Sequence, residues 1–451
     1  MALDNRSLLE HLFREFDLSF VRAPASLITG MNTRSASHVT ASGITATMKT
    51  TLFVLAAVVL AAVQSSAQQL TPIFNGKNLD GWVQRGGKAK YAVEDGVLVG
   101  TTVKGTPNSF LCTEKEYGDF VLELEVKADR NLNSGIQIRS HCYDHETTYD
   151  AGTNTAKILA GRVHGYQVEV DSNPSRSWSG GIYEEGRRGW LFPLDKNKTA
   201  GAAFKFGEWN KYRIECRGAS IRTWVNGVPA ADLLDAETPI GFIALQVHSS
   251  QTEGLQVAWR NLRIQDLGRH VWKRALRGND LSGGHIIGKG EWKVEDGVIH
   301  GTHQASEKEF GHLVSNETLS DFVVRIKYKA VKGNSGLYFR IEETGASGVS
   351  GFQAEIDAEK DAAGLYETNG RAWVNQPAAD LVKRWFRPQA WNTMTVYALG
   401  RRIATDLNGG RISELQDDPG RLEGHSALQL HGSQDVEVYF KDIELLMPAE
   451  D

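Results

Sequence analysis

The chain states most of its sequence motifs twice. "VEDGVLVGT" (93–101) returns as "VEDGVIHGT" (294–302), "DFVLELEVKA" (119–128) as "DFVVRIKYKA" (321–330), and "NSGIQIR" (133–139) as "NSGLYFR" (334–340). "GYQVEVD" (165–171) matches "GFQAEID" (351–357), "GIYEEGRRGW" (181–190) matches "GLYETNGRAW" (364–373), and "ALQVH" (244–248) matches "ALQLH" (427–431), always in the same order. The repeated unit is about 180 to 200 residues, far beyond the roughly 20 to 50 of a solenoid or propeller repeat. Each copy is therefore long enough to close its own core, and the division falls into 71–267 and 268–447. The join near "QDLGRHVWK" (265–273) is short, so the two domains are expected to be packed or stiffly tethered.

Each copy reads as strand after strand. In "DFVLELEVKA" Phe120, Leu122, Leu124 and Val126 alternate with Val121, Glu123, Glu125 and Lys127, the period of two that one buried sheet face requires. Its twin alternates Phe322, Val324, Ile326 and Tyr328 against Arg325, Lys327 and Lys329. Turn signals such as "EDG" and "NG" separate the runs, and no long helical stretch interrupts them. The 46 glycines and 11 tryptophans fit short strands, tight turns and aromatic-lined grooves. An all-β chain follows, made of two tandem two-sheet antiparallel sandwiches of jelly-roll type.

Several strands have an unusual second face. With Tyr166, Val168 and Val170 in the core, Gln167, Glu169 and Asp171 line the other side at a spacing of roughly 6.6 to 7 Å, and the copy repeats them as Gln353, Glu355 and Asp357. The same alternation turns Gln137 and Arg139 outward beside Ile136 and Ile138, and Gln246 and His248 outward beside Leu245 and Val247. Arg340 and His431 are the second-copy counterparts of Arg139 and His248. If these strands are neighbours, amide, carboxylate, guanidinium and imidazole groups meet in a polar groove able to grip hydroxyls. The plainer alternative is a solvated face with Arg139 paired to Glu169. Tyr183/Tyr366, Arg188/Arg371 and Trp190/Trp373 follow the acidic strand at equal spacing, which fits sugar stacking or, equally, packing at a sheet rim. The first copy alone inserts "HCYDHETTYDAGTNTAKILAGRVH" (141–164) where the second has "EETGASGVS" (342–350). Such an insert is expected beside the groove, and its His141, His145 and His164 either complete a metal site or belong to a surface loop.

Composition removes some classes of function. A formal charge of −5, with no basic cluster longer than pairs such as Arg187-Arg188, gives no electrostatic footprint for nucleic acid or an anionic membrane. From Met48, "MKTTLFVLAAVVLAAVQSSAQQ" has the lysine, the short apolar run and the small residues of a secretory signal peptide over 48–67. The run is too short to span a bilayer, so export without a membrane span in the mature chain is expected. Residues 1–47 then read as a non-native or disordered extension, or as a cytoplasmic segment in which "LLEHLFREFDLSF" forms an amphipathic helix. Cys112, Cys142 and Cys216 show neither C-x-x-C nor zinc spacing; one pair is free to form in an oxidising compartment.

The series "FNGKNLDGW" (74–82), "VEDGV", "NSGIQIR", "GYQVEVD", "GIYE", "EWN", "VNG" and "LQVH", in this order, resembles the 3-keto-disaccharide hydrolase domain family, well over 71–267 and more loosely over 268–447. The resemblance implies a concanavalin-A-like sandwich, export, and action on glycosides whose C3 hydroxyl has become a ketone. "FNGKNLDGW" is then the family's opening loop, with Trp82 capping the sandwich or stacking on sugar, although the second copy has Gly284 there. A C3 ketone acidifies the proton on C2, and its removal expels the C1 substituent, so such a site needs a base near C2 and an electrophile at the ketone oxygen. The groove offers Glu169 or His248 as base, Arg139 as enolate stabiliser, and Gln167 and Asp171 as hydroxyl ligands or as ligands of a divalent metal. Gln137, Gln246, Tyr183, Arg188 and Trp190 are the further substrate-binding candidates. Two rival readings remain: a non-catalytic carbohydrate-binding protein, and a conventional glycosidase using Glu169 and Asp171 as its carboxylate couple.

Overall fold

The computed structural model describes residues 69–275 and 280–450; the extension and signal-peptide readings lie outside them. Each copy forms one antiparallel sandwich of an eight-stranded and a seven-stranded sheet, and the strand order is the same in both. The chain is thus two tandem concanavalin-A-like jelly rolls. In the first, the larger sheet carries Phe120–Ala128 between Asn210–Arg217 and Gln256–Asp266. The smaller sheet runs Gly189–Phe192, Ile182–Glu185, His164–Asp171, Asn133–His141, Gly241–Val247, Ser109–Tyr117 and Trp82–Gly86. The second sandwich repeats this with Ala372–Asn375, Leu365–Thr368, Gly348–Asp357, Asn334–Thr344, Gly424–Leu430, Gly311–Leu319 and Gly284–Gly288.

The alternation builds the cores as expected. Phe120, Leu122, Leu124 and Val126 point between the sheets onto Ile136, Ile138, Tyr166, Val168, Val170, Leu245 and Val247. Their outward neighbours Glu123 and Glu125 pair with Arg213 and Arg260. The strand His270–Arg274 pairs with Val436–Pro448 of the second copy. Ala219, Leu234 and Ala236 of the first sandwich share an apolar cluster with Val323, Tyr397, Ala404 and Leu446 of the second. Arg402 reaches Asp232 across this contact at 2.8 Å, so the two sandwiches are packed together.

The opening loop caps the first core. Trp82 is buried and its indole N–H donates to the Ile73 carbonyl at 3.2 Å, while Asn75 and Asn78 close the turn on themselves. Trp82 therefore does not stack on sugar. In its second-copy counterpart, Leu276 to Asn279 lie outside the described residues.

Candidate active site

The groove is built on the face of the seven-stranded sheet that points away from the core. Four adjacent strands place Gln137, Gln167, Tyr183 and Trp190 in one cross-strand row. Next to it Gln246, Gly135 and Glu169 form a second row. The Gln137 amide donates to Gln167 at 2.7 Å, and the Gln167 amide donates to Glu169 Oε1 at 2.7 Å. Asn133 donates to Glu169 Oε2 at 3.0 Å. Gly135 makes this possible: a Cβ there would stand 2.4 Å from Gln167 Cδ, so only glycine lets Gln167 lie across the strand. Asn133 and Gly135 belong to the repeated "NSG", and alternation alone does not mark them as site residues. Their signal was the repeat itself.

Burial sets the electrostatics. Glu169 is 5% exposed, and loss of hydration pushes its carboxyl up to about 7, helped by neighbouring Asp171 and Glu185 and opposed by the Asn133 and Gln167 hydrogen bonds. Burial also raises Asp171, against its 2.8 Å ion pair with Arg176, and raises Glu185, against Arg162. His248 is half-buried and directly follows the strand Gly241–Val247 that carries Gln246. Its Nδ1 meets the Ser249 carbonyl at 2.9 Å. Trp190 stands edge-on to Tyr183 at 5.6 Å and to Trp178 at 5.4 Å. The Gln246 amide is fully buried on the floor with no hydrogen-bond partner on either its oxygen or its nitrogen. Such a group is costly unless water or a ligand completes it.

The second copy keeps the scheme and changes its details. Asn334 donates to Glu355, Gln353 donates to Glu355 at 2.8 Å, and Gly336 leaves room for Gln353 as Gly135 does for Gln167. Tyr338 replaces Gln137 and holds a closed chain: Gln353 to Gln429 at 3.2 Å, Gln429 to the Tyr338 hydroxyl at 3.1 Å, and that hydroxyl to Thr368 at 2.9 Å. Burial pushes Glu355 up to about 8. Asp357 lies at the end of the same strand and accepts from the Glu359 and Lys360 backbone. A cavity of about 490 Å³ opens over this floor, walled by Phe310, Tyr366, Trp373 and His431.

Arg139, Arg340, Arg188 and Arg371 do not join the groove. Alternation placed Arg139 outward, but its backbone is left-handed (φ 45°) and the strand register shifts beside it. The side chain is wholly buried at the sheet end, donating to the Gly118 and Gly218 carbonyls at 2.7 and 2.8 Å and pairing with Asp119 at 3.0 Å, not with Glu169. Arg340 repeats the lock (φ 50°) on the Ser320 and Gly400 carbonyls and Asp321. Arg188 is held by Glu184 and Asp235 and donates to the Gly409 carbonyl of the second sandwich. Arg371 grips Glu367 and, with both terminal nitrogens, Asp418. These four are structural ties, removed from the substrate-binding and enolate-stabilising roles.

The insert divides in two. Its ends stay at the groove, where Cys142 and Val163 cover Phe110. Its hairpin, Thr147–Ala151 and Asn154–Ile158, leaves the groove and docks on the second sandwich through Gly152 to Asn408 and Arg387 to Gly152. His141, His145 and His164 gather around the Tyr143 ring at 5.1 to 5.7 Å between centroids. His164 is bonded to the Arg162 carbonyl and His145 to Asp144. These are ring contacts with no shared ligating point, and among the described residues no three His, Cys, Asp or Glu side chains are placed to hold a metal ion. All three cysteines are free thiols.

A model of the 3-keto-alpha-glucoside-1,2-lyase-like domain matches residues 69–265 and again 271–446. No curated protein matches the chain. Among solved structures, a protein from Parabacteroides distasonis described only provisionally as a glycosyl hydrolase is 21% identical over 45% of this chain and 96% of its own, with a TM-score of 0.30. A carbohydrate-binding module from Bacillus subtilis is 19% identical over 36% and 93%, at 0.29. A galectin-like protein of unknown function from the same species is 11% identical over 40% and 100%, at 0.32. At these values the structural likenesses carry no inference about function. The family match spans both sandwiches, and the chain belongs to the 3-keto-alpha-glucoside-1,2-lyase-like domain family, carrying two copies of the domain.

Proposed function

We propose that the first sandwich cleaves 3-keto-glycosides by removing the proton on C2 and expelling the C1 substituent. The observation that carries the reading is Glu169: a buried carboxyl, positioned by Asn133 and Gln167, whose pKa of about 7 makes it a base at neutral pH and a credible acid once protonated. In the step, the C2–H bond breaks toward the Glu169 carboxylate, a C1=C2 double bond forms, and the C1–O bond breaks as the leaving oxygen takes a proton. Addition of water to the unsaturated ketone completes net hydrolysis. With Arg139 locked in the scaffold, the donors left for the C3 oxygen and the leaving group are the unpartnered Gln246 amide and the His248 imidazole. Gln137, Gln167 and Asp171 take hydroxyls, and Tyr183 with Trp190 offers a ring surface to the sugar.

The conventional glycosidase fits less well. Glu169 and Asp171 stand two residues apart on one strand face and approach a ligand from the same side, whereas such a couple must flank the anomeric carbon. Export through the segment beginning at Met48 is part of the proposal. Among the described residues no helix is long and apolar enough to cross a membrane. The test is incubation of the chain from Gln68 onward with a 3-keto-disaccharide, with and without divalent metal, following release of the C1 substituent. Release that disappears in Glu169→Gln supports the assignment, and intact substrate in both incubations sinks it.

A further inference from the structure

We propose that the second sandwich is a saccharide-binding site in its own right, taking a neutral sugar by ring stacking and hydroxyl hydrogen bonds without performing the chemistry of the first. Its cavity of about 490 Å³ falls within the range of small-molecule sites, about 300 to 1,000 Å³. Six rings line it: Phe310, His312, Tyr338, Tyr366, Trp373 and His431. Tyr366 and Trp373 stand edge-on at 5.3 Å, and Phe310 lies 4.6 Å from His431. These rings supply the flat, weakly polar walls that the C–H face of a sugar prefers.

The floor differs from the first in the direction that favours holding a ligand over transforming it. Tyr338 stands where the first copy has Gln137, and Thr368 where it has Glu185. The amides of Gln353 and Gln429 are occupied by each other, by Glu355 and by Tyr338, whereas Gln246 in the first groove is left without a partner. Asp357 accepts from the Glu359 and Lys360 backbone and from Asn334 at 3.3 Å, with no counterpart of the Arg176 ion pair among its hydrogen bonds. The second groove keeps Glu355, Asp357 and His431 as counterparts of Glu169, Asp171 and His248, but it replaces the Glu185 carboxyl with the neutral Thr368 and closes its floor amides on a tyrosine hydroxyl.

The experiment is calorimetric titration of the Glu169→Gln chain, which removes the proposed base, with a 3-keto-disaccharide and with its unoxidised parent. Two sites per chain in Glu169→Gln, falling to one on adding Trp373→Ala or Phe310→Ala with the melting transition retained, are expected. The two substitutions act on different walls, so a fold failure of one leaves the other decisive. One site in Glu169→Gln that survives both substitutions, or no binding at all, overturns the proposal. This outcome is separable from failure of the catalytic reading, which is scored by product release in the unsubstituted chain.

Discussion

The two grooves share their skeleton and differ in their furnishing. Both keep an asparagine and a glutamine on a buried glutamate, a glycine beneath the glutamine, and a tyrosine–tryptophan pair at the side. They part at the residues that face the cavity: Gln137 against Tyr338, Phe110 against His312, Glu185 against Thr368, and a long insert against a short turn. The comparison separates two kinds of repetition. Arg139 and Arg340 recur because a left-handed residue at the sheet end must satisfy several carbonyls, whereas Glu169 and Glu355 recur inside a groove whose walls have been rebuilt. Repetition alone cannot distinguish the two; the direction of the side chain does.

The comparison breaks most readily in turnover. Glu169→Gln is expected to lower kcat for a 3-keto-disaccharide by about 10² to 10⁴-fold, and Glu355→Gln by no more than a few-fold; equal losses would place catalysis in both copies. The pH profile sharpens the same point. Activity that needs ionised Glu169 rises through about pH 7, and activity that needs Glu355 rises through about pH 8. A rising limb near the upper value would move the chemistry to the second sandwich.

The arginine locks give the next effect, in stability. Arg139→Met strands two buried carbonyls and removes the guanidinium partner of the buried Asp119, which keeps the Gly218 N–H and His270, and should cost roughly 3 to 5 kcal/mol. Arg340→Met should cost less, about 1 to 3 kcal/mol, because Asp321 is 62% exposed and remains hydrated. Thermal or urea unfolding compares them, and equal costs would remove the distinction. The buried glutamates add a pH dependence of known sign. Their folded pKa values lie above the ordinary carboxylate value of 4.5, so the stability they contribute is full below that value and is lost as pH rises through about 7 and 8. Glu169→Gln should therefore gain on the unsubstituted chain between pH 5 and 9, by roughly 3 kcal/mol for a shift of about 2.5 pH units. A gap that does not change with pH contradicts the burial argument. Smallest of all, Tyr338→Phe removes hydrogen bonds to Gln429 and Thr368 and should cost about 1 kcal/mol, with no counterpart effect in the first copy.

Much of this was legible in the residues. The strict alternation around Tyr166, Val168 and Val170 assigned Gln167, Glu169 and Asp171 to one face, and pairing brought Gln137, Tyr183 and Gln246 beside them. The same rule failed at Arg139, because a single left-handed residue shifts the register and reverses the side chain, and neither event has a signature in alternation. The insert misled for a related reason: its histidines looked like a ligand set, yet an extended segment with Tyr143 between them stacks the rings instead. Asn133 has no such signal, because it stands at a strand end, where a period of two does not say which way a side chain turns.

What the sequence by itself determined is the duplication, the all-β character and which residues of each strand avoid the core, since these follow from local periodicity and from the need of each copy to bury one sheet face. Only the tertiary structure decided which outward residues share a cavity, that four arginines serve the scaffold, and that burial raises the Glu169 carboxyl. Those outcomes depend on neighbours far apart in the chain and on how much water their packing removes, and neither is encoded in the spacing along a single strand.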